Sequence, residues 1–261
     1  MLKPTSPAKK TALTVLIALT AMLLVDTAQG GLLVSRKEIM RESHVQWLEM
    51  KRKVPQAGPR VQKYVQCVAY KLINVLDKPY KDLSWEVIAF DSPQLNAFAM
   101  PGGEVGVYTG ILGVADTQDE LATVLGHELA HLTQDHIMKR ARHERRTDVL
   151  AILGSAATGL PGIVQDATTI GMSLPYSRKQ ESEADRIGLH YMAEAGFDPR
   201  QSLDLWKKMR AKNRDNQPPE FLSDHPADDE RLDALVTLLA PALVTYNKAR
   251  EDGKRPNCTL Q

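Results

Sequence analysis

The sequence predicts an α+β fold that is mainly helical and carries one small β-sheet. Apolar residues recur at helical spacing along most of the chain, and Ser or Thr followed three positions later by Glu marks two helix starts. Between residues 85 and 109 the pattern alternates instead, which is typical of strands. The length of 261 residues, with 43% hydrophobic and 25% charged residues, suits one compact domain, or one domain plus an appendage.

The first thirty residues have the features of a secretion signal. A basic start precedes residues 11–25, an uncharged and mainly apolar run that is short for a spanning helix of about 20 residues. Small residues at Ala28 and Gly30 then offer a cleavage site. We therefore predict a signal peptide over residues 1–30, with an uncleaved membrane anchor as the alternative, and a single domain over residues 31–261.

Two helices and three strands open the predicted domain. Ser35 and Glu38 form a capping pair for a helix that runs toward Val54 and ends at the proline-rich residues 55–59. Apolar spacing predicts a second helix over Val61–Leu76. Short extended segments follow at residues 85–90, 96–100 and 104–109, with a Pro-Gly-Gly turn at 101–103.

The second half is predicted to be helical. Thr117 and Glu120 form a capping pair for a helix that runs through His131 and into the Arg-rich stretch after Lys139. The apolar residues 151–174 fit a buried helix, a lid or a membrane-contacting segment equally well. Further helices are predicted over residues 179–194, from Asp198-Pro199 through Met209, and from about Pro226 past Leu239, with a linker at 216–219.

Composition excludes several classes of protein. The 33 Lys and Arg against 32 Asp and Glu give no basic field for a nucleic-acid partner. A phosphate-binding glycine loop is absent from the sequence, so the expected activity is ATP-independent. Two cysteines exclude a Cys-rich metal site. In an oxidising compartment Cys67 and Cys258 are predicted to pair, and two unrelated thiols are the alternative.

The segment His127-Glu128-Leu129-Ala130-His131 predicts a metal site. Residues four apart on a helix lie about 40° apart around its axis, so both imidazoles can reach one ion. Glu128 lies one step round from His127, where it can take a proton from water without being a ligand. The pattern indicates a zinc site whose metal ligands include His127 and His131 and whose general base is Glu128.

A third ligand is needed, and an acidic helix about 50 residues later supplies candidates. Glu181 and Asp185 share one face of that helix, whereas Glu183 is predicted to point away. We assign Glu181 as the carboxylate ligand and Asp185 as the acceptor that orients a ligating histidine; a solvated acidic face is the alternative. His136 lies about 140° round a regular helix from His131 and is predicted to face elsewhere, as a surface residue or as a residue that supports a metal ligand without binding the ion.

Together with Ser177-Arg178 and Glu181-Ser-Glu-Ala-Asp185-Arg186, this pattern resembles the gluzincin family of zinc metallopeptidases that includes HtpX, the CAAX prenyl protease, BepA and LoiP. The resemblance covers about residues 60–240 and is strongest to the soluble exported members. Further matching segments are Asn96-Ala-Phe-Ala-Met-Pro-Gly-Gly103, Ala195-Gly-Phe-Asp-Pro199, and Ser223-Asp-His-Pro226 with Arg231. Asp224 departs from the family, in which a small hydroxyl residue is usual at that position.

The resemblance implies a zincin-like metalloprotease domain with one Zn²⁺ per chain and a β-sheet whose edge strand lines the active site. It implies that Asn96, Ala97, Phe98 and Ala99 bind the substrate backbone. It makes His225 and Arg231 the candidates for donating a hydrogen bond to the oxyanion of the reaction. His225 has two further possible roles, as a fourth zinc ligand that holds the enzyme shut and as a loop residue.

The implied function is an exported zinc endopeptidase that cleaves misfolded or unassembled envelope polypeptides. The compartment is the periplasm if the source is a Gram-negative bacterium, or the same compartment reached by an N-terminal anchor, with peripheral membrane contact possible. One alternative is a chaperone-like client-binding protein with a latent, His-gated zinc site. The other is a metal-stabilised structural protein, which gives no reason for Glu128 between the histidines.

Overall fold

The computed structural model describes residues 35–143, 176–212, 220–226 and 228–260. The predicted signal peptide at 1–30, the apolar segment at 151–174 and the linker at 216–219 lie outside the described residues. Within the described ranges, no helix combines the length and the hydropathy that crossing a bilayer requires.

The structure confirms a mainly helical α+β fold. The three strands are β1 (Glu86–Phe90), β2 (Ala97–Ala99) and β3 (Glu104–Tyr108). The helices are α1 (Arg36–Lys53), α2 (Pro59–Ile73), α3 (Gln118–Thr133), α4 (Arg178–Glu194), α5 (Gln201–Lys212), α6 (Glu220–Asp224) and α7 (Asp229–Glu251).

Local capping explains where the two central helices begin. The Thr117 side chain accepts a hydrogen bond from the Glu120 backbone, and the Glu120 carboxylate accepts one from the Thr117 backbone, so α3 has a complete capping box. Ser177 and Gln180 form the same reciprocal pair at the start of α4, which the sequence analysis did not single out. Both helices therefore start at positions that their own residues define.

The sheet has the order β1-β3-β2, with β3 parallel to β1 and antiparallel to β2. Among the described strands β2 is thus an edge strand. Its partners are set by the register Ala97↔Val107, Phe98↔Gly106 and Ala99↔Val105. Buried apolar side chains of the sheet join those of α2, α3 and α4 in the main hydrophobic core. The sheet therefore holds β2 against the helix that carries His127 and His131.

Two predicted helix boundaries are wrong. Instead of continuing into the Arg-rich stretch, α3 ends at Thr133, and Asp135 takes a left-handed conformation with φ 61° before helical residues 136–143. The last helix begins at Asp229, not near Pro226, because the Asp228 side chain caps it by accepting from the Arg231 backbone. The short helix α6, which precedes it, was not predicted.

Two glycines let α3 and α4 cross in close contact. A Cβ atom on Gly126 would lie 2.9 Å from the Gly188 carbonyl oxygen, and one on Gly188 would lie 2.8 Å from the His127 nitrogen. These neighbours are backbone atoms, which cannot rotate away as a side chain can. The crossing therefore depends on the absence of side chains at both positions and brings the acidic face of α4 beside the histidines of α3.

The predicted cysteine pair is confirmed as a disulfide. Cys67 on α2 is bonded to Cys258 near the end of the described chain, across a separation of 191 residues. The Gln118 side chain fixes the same tail through hydrogen bonds with the Cys258 nitrogen and the Pro256 carbonyl. The C-terminal tail is thereby attached both to α2 and to the first turn of α3.

Candidate metal centre

Two adjacent helices bring the three predicted ligands together. His127 and His131 project from one face of α3, with their Nε2 atoms 3.0 Å apart. Glu181, in the first turn of α4, places Oε1 at 3.2 Å from His131 Nε2 and Oε2 at 3.4 Å from His127 Nε2. All three side chains are buried. The geometry thus brings the predicted ligands into one cluster.

His225, just after α6, adds a fourth donor. Its Nδ1 atom lies 3.1 Å from His127 Nε2 and 3.0 Å from Glu181 Oε1. The four ligand atoms all lie within 4.8 Å of one another. His225 is buried, and both of its ring nitrogens contact carboxylates of the cluster or of Glu128.

The donor set fits a divalent metal ion. Tetrahedral donors about 2.0–2.1 Å from a zinc ion are roughly 3.4 Å from one another, close to the separations seen here. The three imidazole nitrogens, 3.0 and 3.1 Å apart, can share either a ring proton or a metal ion. Glu128 Oε1 is also buried without a directed hydrogen bond from any described residue, which is costly unless an ion or a ligand satisfies it.

Asp185 lies beside His127, one of the predicted ligands. Its Oδ1 atom accepts a hydrogen bond from His127 Nδ1 at 2.9 Å, and this contact leaves the Nε2 lone pair of His127 facing the cluster. Arg231 donates to both oxygens of Asp185, at 2.7 and 2.8 Å, so the carboxylate is fixed from two sides.

The position of Arg231 does not match an oxyanion donor. Its guanidinium is buried, contacts Asp185 and the Pro226 carbonyl, and lies 2.8 Å from Glu181 Oε2. It also stacks over the Trp206 ring at 3.5 Å. The guanidinium of Arg231 is therefore paired with the carboxylates of Asp185 and Glu181 and holds them in place.

Burial is the main influence on the histidine pKa values. It lowers the pKa of His131 well below its ordinary value and that of His225 to about 4, so both rings stay in the neutral form that binds metals. At His127 the carboxylates of Glu181 and Asp185 outweigh burial and raise the pKa to about 9. The cluster therefore attracts positive charge, either a proton or a metal ion.

Glu128 links this cluster to an open cleft. Its carboxylate is buried, and burial raises its pKa to about 8. It lies 3.3 Å from His225 Nε2. The cleft is lined by Glu128, His225 and residues 96–101, so the predicted substrate strand lies beside the predicted base.

The backbone groups of β2 face β3 and the cleft in alternation. Met100 donates to Glu104 and the Asn96 carbonyl accepts from Tyr108, so these residues face β3. Because antiparallel strands alternate, the backbone groups of Ala97 and Ala99 point away from β3. Ala97 and Ala99 line the cleft but are only 2% and 5% exposed, so an extended peptide can pair with them only once the cleft opens.

Comparison with known proteins identifies the family. The profile of peptidase family M48 matches residues 59–239, which is more than half of the chain. The chain belongs to peptidase family M48. The matched range includes all four clustered donors and Glu128.

The relatives of this M48 chain include mitochondrial and bacterial proteins. "Mitochondrial metalloendopeptidase OMA1" of Schizosaccharomyces pombe is 36% identical over 183 residues, which are 69% of this chain and 54% of the relative. "Metalloendopeptidase OMA1, mitochondrial" of Homo sapiens is 34% identical over 175 residues, 62% of this chain and 33% of the relative. "Beta-barrel assembly-enhancing protease" of Escherichia coli (strain K12) is 27% identical over 187 residues, which are 67% of this chain and 38% of the relative. The chain spans about half or less of their length.

Two further side chains of the M48 centre, Tyr176 and Arg140, were not predicted. Tyr176 stacks on His131 with ring centroids 3.8 Å apart, and the Arg140 guanidinium lies 4.5 Å from the Tyr176 ring. His136, predicted to face elsewhere, is buried with its Nδ1 atom 3.1 Å from His131 Nδ1. The helix break at Asp135 is the reason, because the prediction assumed a regular helix. Tyr176 carries no local sequence signal that could have identified it.

Proposed function

We propose that this chain is a zinc-dependent endopeptidase that hydrolyses peptide bonds in unfolded or unassembled polypeptides without ATP. The observation that carries the proposal is the position of Glu128, between a four-donor metal cluster and the cleft along β2. A structural metal site has no use for a carboxylate in this position. Peptidase family membership supports the same reaction.

The residues of this chain divide the chemistry among them. His127, His131 and Glu181 would hold the zinc ion, which supplies a Lewis acid for the scissile carbonyl and lowers the pKa of water. Glu128 accepts the proton of the attacking water and returns it to the leaving amine. Its buried setting, which raises its pKa to about 8, suits a group that must both take and give a proton near neutral pH.

Substrate recognition is proposed to use the backbone of β2. An extended segment pairs with the outward groups of Ala97 and Ala99, which places its next peptide bond near Glu128. Backbone pairing is largely indifferent to side chains. It therefore favours flexible, unfolded polypeptides, whatever their sequence, over folded proteins.

His225 is proposed to keep the resting site closed. Its Nδ1 atom lies among the ligand atoms, in the place that catalysis requires to be open. Substrate entry would then displace the His225 ring. The same contact supports a second candidate function, a client-binding protein whose β2 groove holds polypeptides while the closed centre cleaves little.

The proposed compartment is oxidising and extracytoplasmic. The Cys67–Cys258 disulfide supports this location, since such bonds persist outside reducing compartments. The E. coli relative's printed name concerns β-barrel assembly, which supports envelope polypeptides as substrates. Other relatives have mitochondrial names, so those names do not support the bacterial envelope as the compartment.

The decisive experiment compares the parent, Glu128→Gln and the exposed-site control Glu194→Gln on unfolded casein, with and without a chelator. If the His225 ring closes the resting site, the parent protein should have weak activity. Each protein is therefore also assayed with the His225→Ala substitution added. We expect Glu128→Gln to retain about one zinc per chain and to lose at least about 100-fold in cleavage rate. Cleavage by a zinc-loaded Glu128→Gln protein at the parent rate would refute the assignment.

A further inference from the structure

His136 and Glu183 form a chain of contacts that ends on the ligand His131. His136 Nδ1 lies 3.1 Å from His131 Nδ1, and His136 Nε2 lies 3.2 Å from Glu183 Oε2. The His136 side chain is fully buried, whereas that of Glu183 is 36% exposed. The proposed mechanism assigns no role to either residue.

The local backbone is built to make this contact. On a regular helix, residues five apart point in directions about 140° apart. Here α3 stops at Thr133, and Asp135 adopts φ 61°, which turns the chain so that His136 faces back toward His131. Arg36 holds the Asp135 carboxylate at 2.6 Å and so supports the turn.

Hydrogen-bond polarity fixes the direction of the chain of contacts. An ionised carboxylate only accepts, so His136 Nε2 carries the proton that it shares with Glu183. A neutral His136 then has a lone pair on Nδ1, which accepts the proton of His131 Nδ1. His131 is left with its lone pair on Nε2, the atom that faces the other ligand atoms.

The other ligating histidine has a shorter version of the same support. His127 Nδ1 donates directly to Asp185 and keeps its Nε2 lone pair for the cluster. Glu181, Glu183 and Asp185 all lie on α4. One helix thus supplies a ligand and the two carboxylates on which both histidine contacts end.

We propose that His136 and Glu183 are positioning residues that hold His131 in the ring orientation and tautomer required for metal binding. This inference rests on the metal centre of the proposed function. Neither residue touches the metal or the substrate. Groups of this kind set metal affinity, and losing one costs about 10- to 100-fold in affinity or activity.

The test measures zinc affinity by competition with a chelator, for the full chain and its variants. His136→Leu keeps the side-chain bulk but removes the acceptor, and we expect about 10- to 100-fold weaker zinc binding. His136→Gln restores an acceptor oxygen and should recover part of the loss. Glu183→Ala should weaken binding as well, whereas Glu183→Gln keeps an acceptor and should remain close to the parent.

A matched control uses the exposed pair His190 and Glu194 on the same helix, whose side chains lie 3.5 Å apart. His190→Leu and Glu194→Ala should bind zinc as the parent does. Thermal unfolding of the chelator-treated proteins separates a folding defect from a loss of affinity, because a positioning role leaves the metal-free midpoint of Glu183→Ala unchanged. Should His136→Leu fail to fold, the partly exposed Glu183 variants still decide the matter.

The outcomes are distinct. Zinc affinities of Glu183→Ala and His136→Leu within about twofold of the parent would overturn the inference, as would equal losses in the control pair. Failure of the parent to bind zinc would overturn the metal centre and the inference together. Tight zinc binding by the parent with no casein cleavage, even after His225→Ala, would refute the peptidase function while the positioning roles could still be measured.

Discussion

At the scale of single residues, His225 has the most informative position in the centre. Its Nδ1 atom lies 3.1 Å from His127 Nε2, while its Nε2 atom lies 3.3 Å from the Glu128 carboxylate. One ring therefore contacts both the ligand cluster and the proposed base. Any substrate carbonyl that reaches the cluster must compete with this ring.

We predict that His225→Ala raises the basal cleavage of unfolded casein several-fold. The substitution opens the fourth position while His127, His131 and Glu181 still hold the metal, so zinc content should stay near one per chain. A role as an oxyanion donor predicts the opposite change, since losing such a donor costs about 100-fold or more. His190→Ala, an exposed histidine on α4, is the matched control and should leave the rate unchanged.

At the scale of elements, the centre depends on how closely α3 and α4 approach. His127 follows Gly126 directly, and Glu181 lies two turns before Gly188 on α4. The two glycines form the contact between the helices. The distance from the carboxylate to the imidazoles is therefore controlled by residues that never touch the ion.

Gly188→Ala is expected to separate the helices and weaken zinc binding. The new Cβ atom would lie 2.8 Å from the His127 nitrogen, and relieving this overlap should lower the free energy of unfolding by about 1–3 kcal/mol. Urea unfolding and chelator competition measure the two effects. Gly113→Ala is the control, because nothing lies within 4 Å of a Cβ atom there. An unchanged zinc affinity in Gly188→Ala would show that the crossing does not set the ligand geometry.

The edge strand β2 is the second element that the function needs. Ala99→Pro removes the N–H group that points away from β3 without removing a bond to β3. If substrates pair with β2, kcat/KM for casein-derived peptides should fall roughly 3- to 10-fold, the value of about one hydrogen bond. Ala99→Gly keeps the N–H group and is the control. Equal rates in both variants would place the substrate elsewhere.

At the scale of the whole molecule, the disulfide links the C-terminal tail to α2. Cys67 on α2 and Cys258 in the tail are 191 residues apart, and α2, α3 and α4 contribute side chains to the same core. The covalent link therefore restricts almost the entire described chain in the unfolded state.

Replacing both cysteines with serine should lower the free energy of unfolding by about 2–4 kcal/mol. Urea titrations of the oxidised parent, the reduced parent and the double variant measure this difference. Reductant should destabilise the parent and leave the double variant unaffected. A parent whose unfolding midpoint does not respond to reduction would show that the tail contributes little to stability.

Much of the fold and part of the centre were predictable because their signals are local. Capping residues marked the starts of α1 and α3, and the change of period marked the strands. Spacing of four residues placed His127 with His131 and Glu181 with Asp185. Helix geometry alone determines these relations, since each pair lies on one regular element.

Other features were decided only by tertiary structure. The sequence determined a helix with two histidines four residues apart, an acidic helix and a pair of cysteines. It could not determine that His225 joins the ligand atoms, that Arg231 lies behind Asp185, or that His136 turns back to His131. Those contacts join residues far apart in the chain or follow a single left-handed residue at Asp135. They depend on how the helices pack and where the backbone bends, and no periodic pattern encodes either.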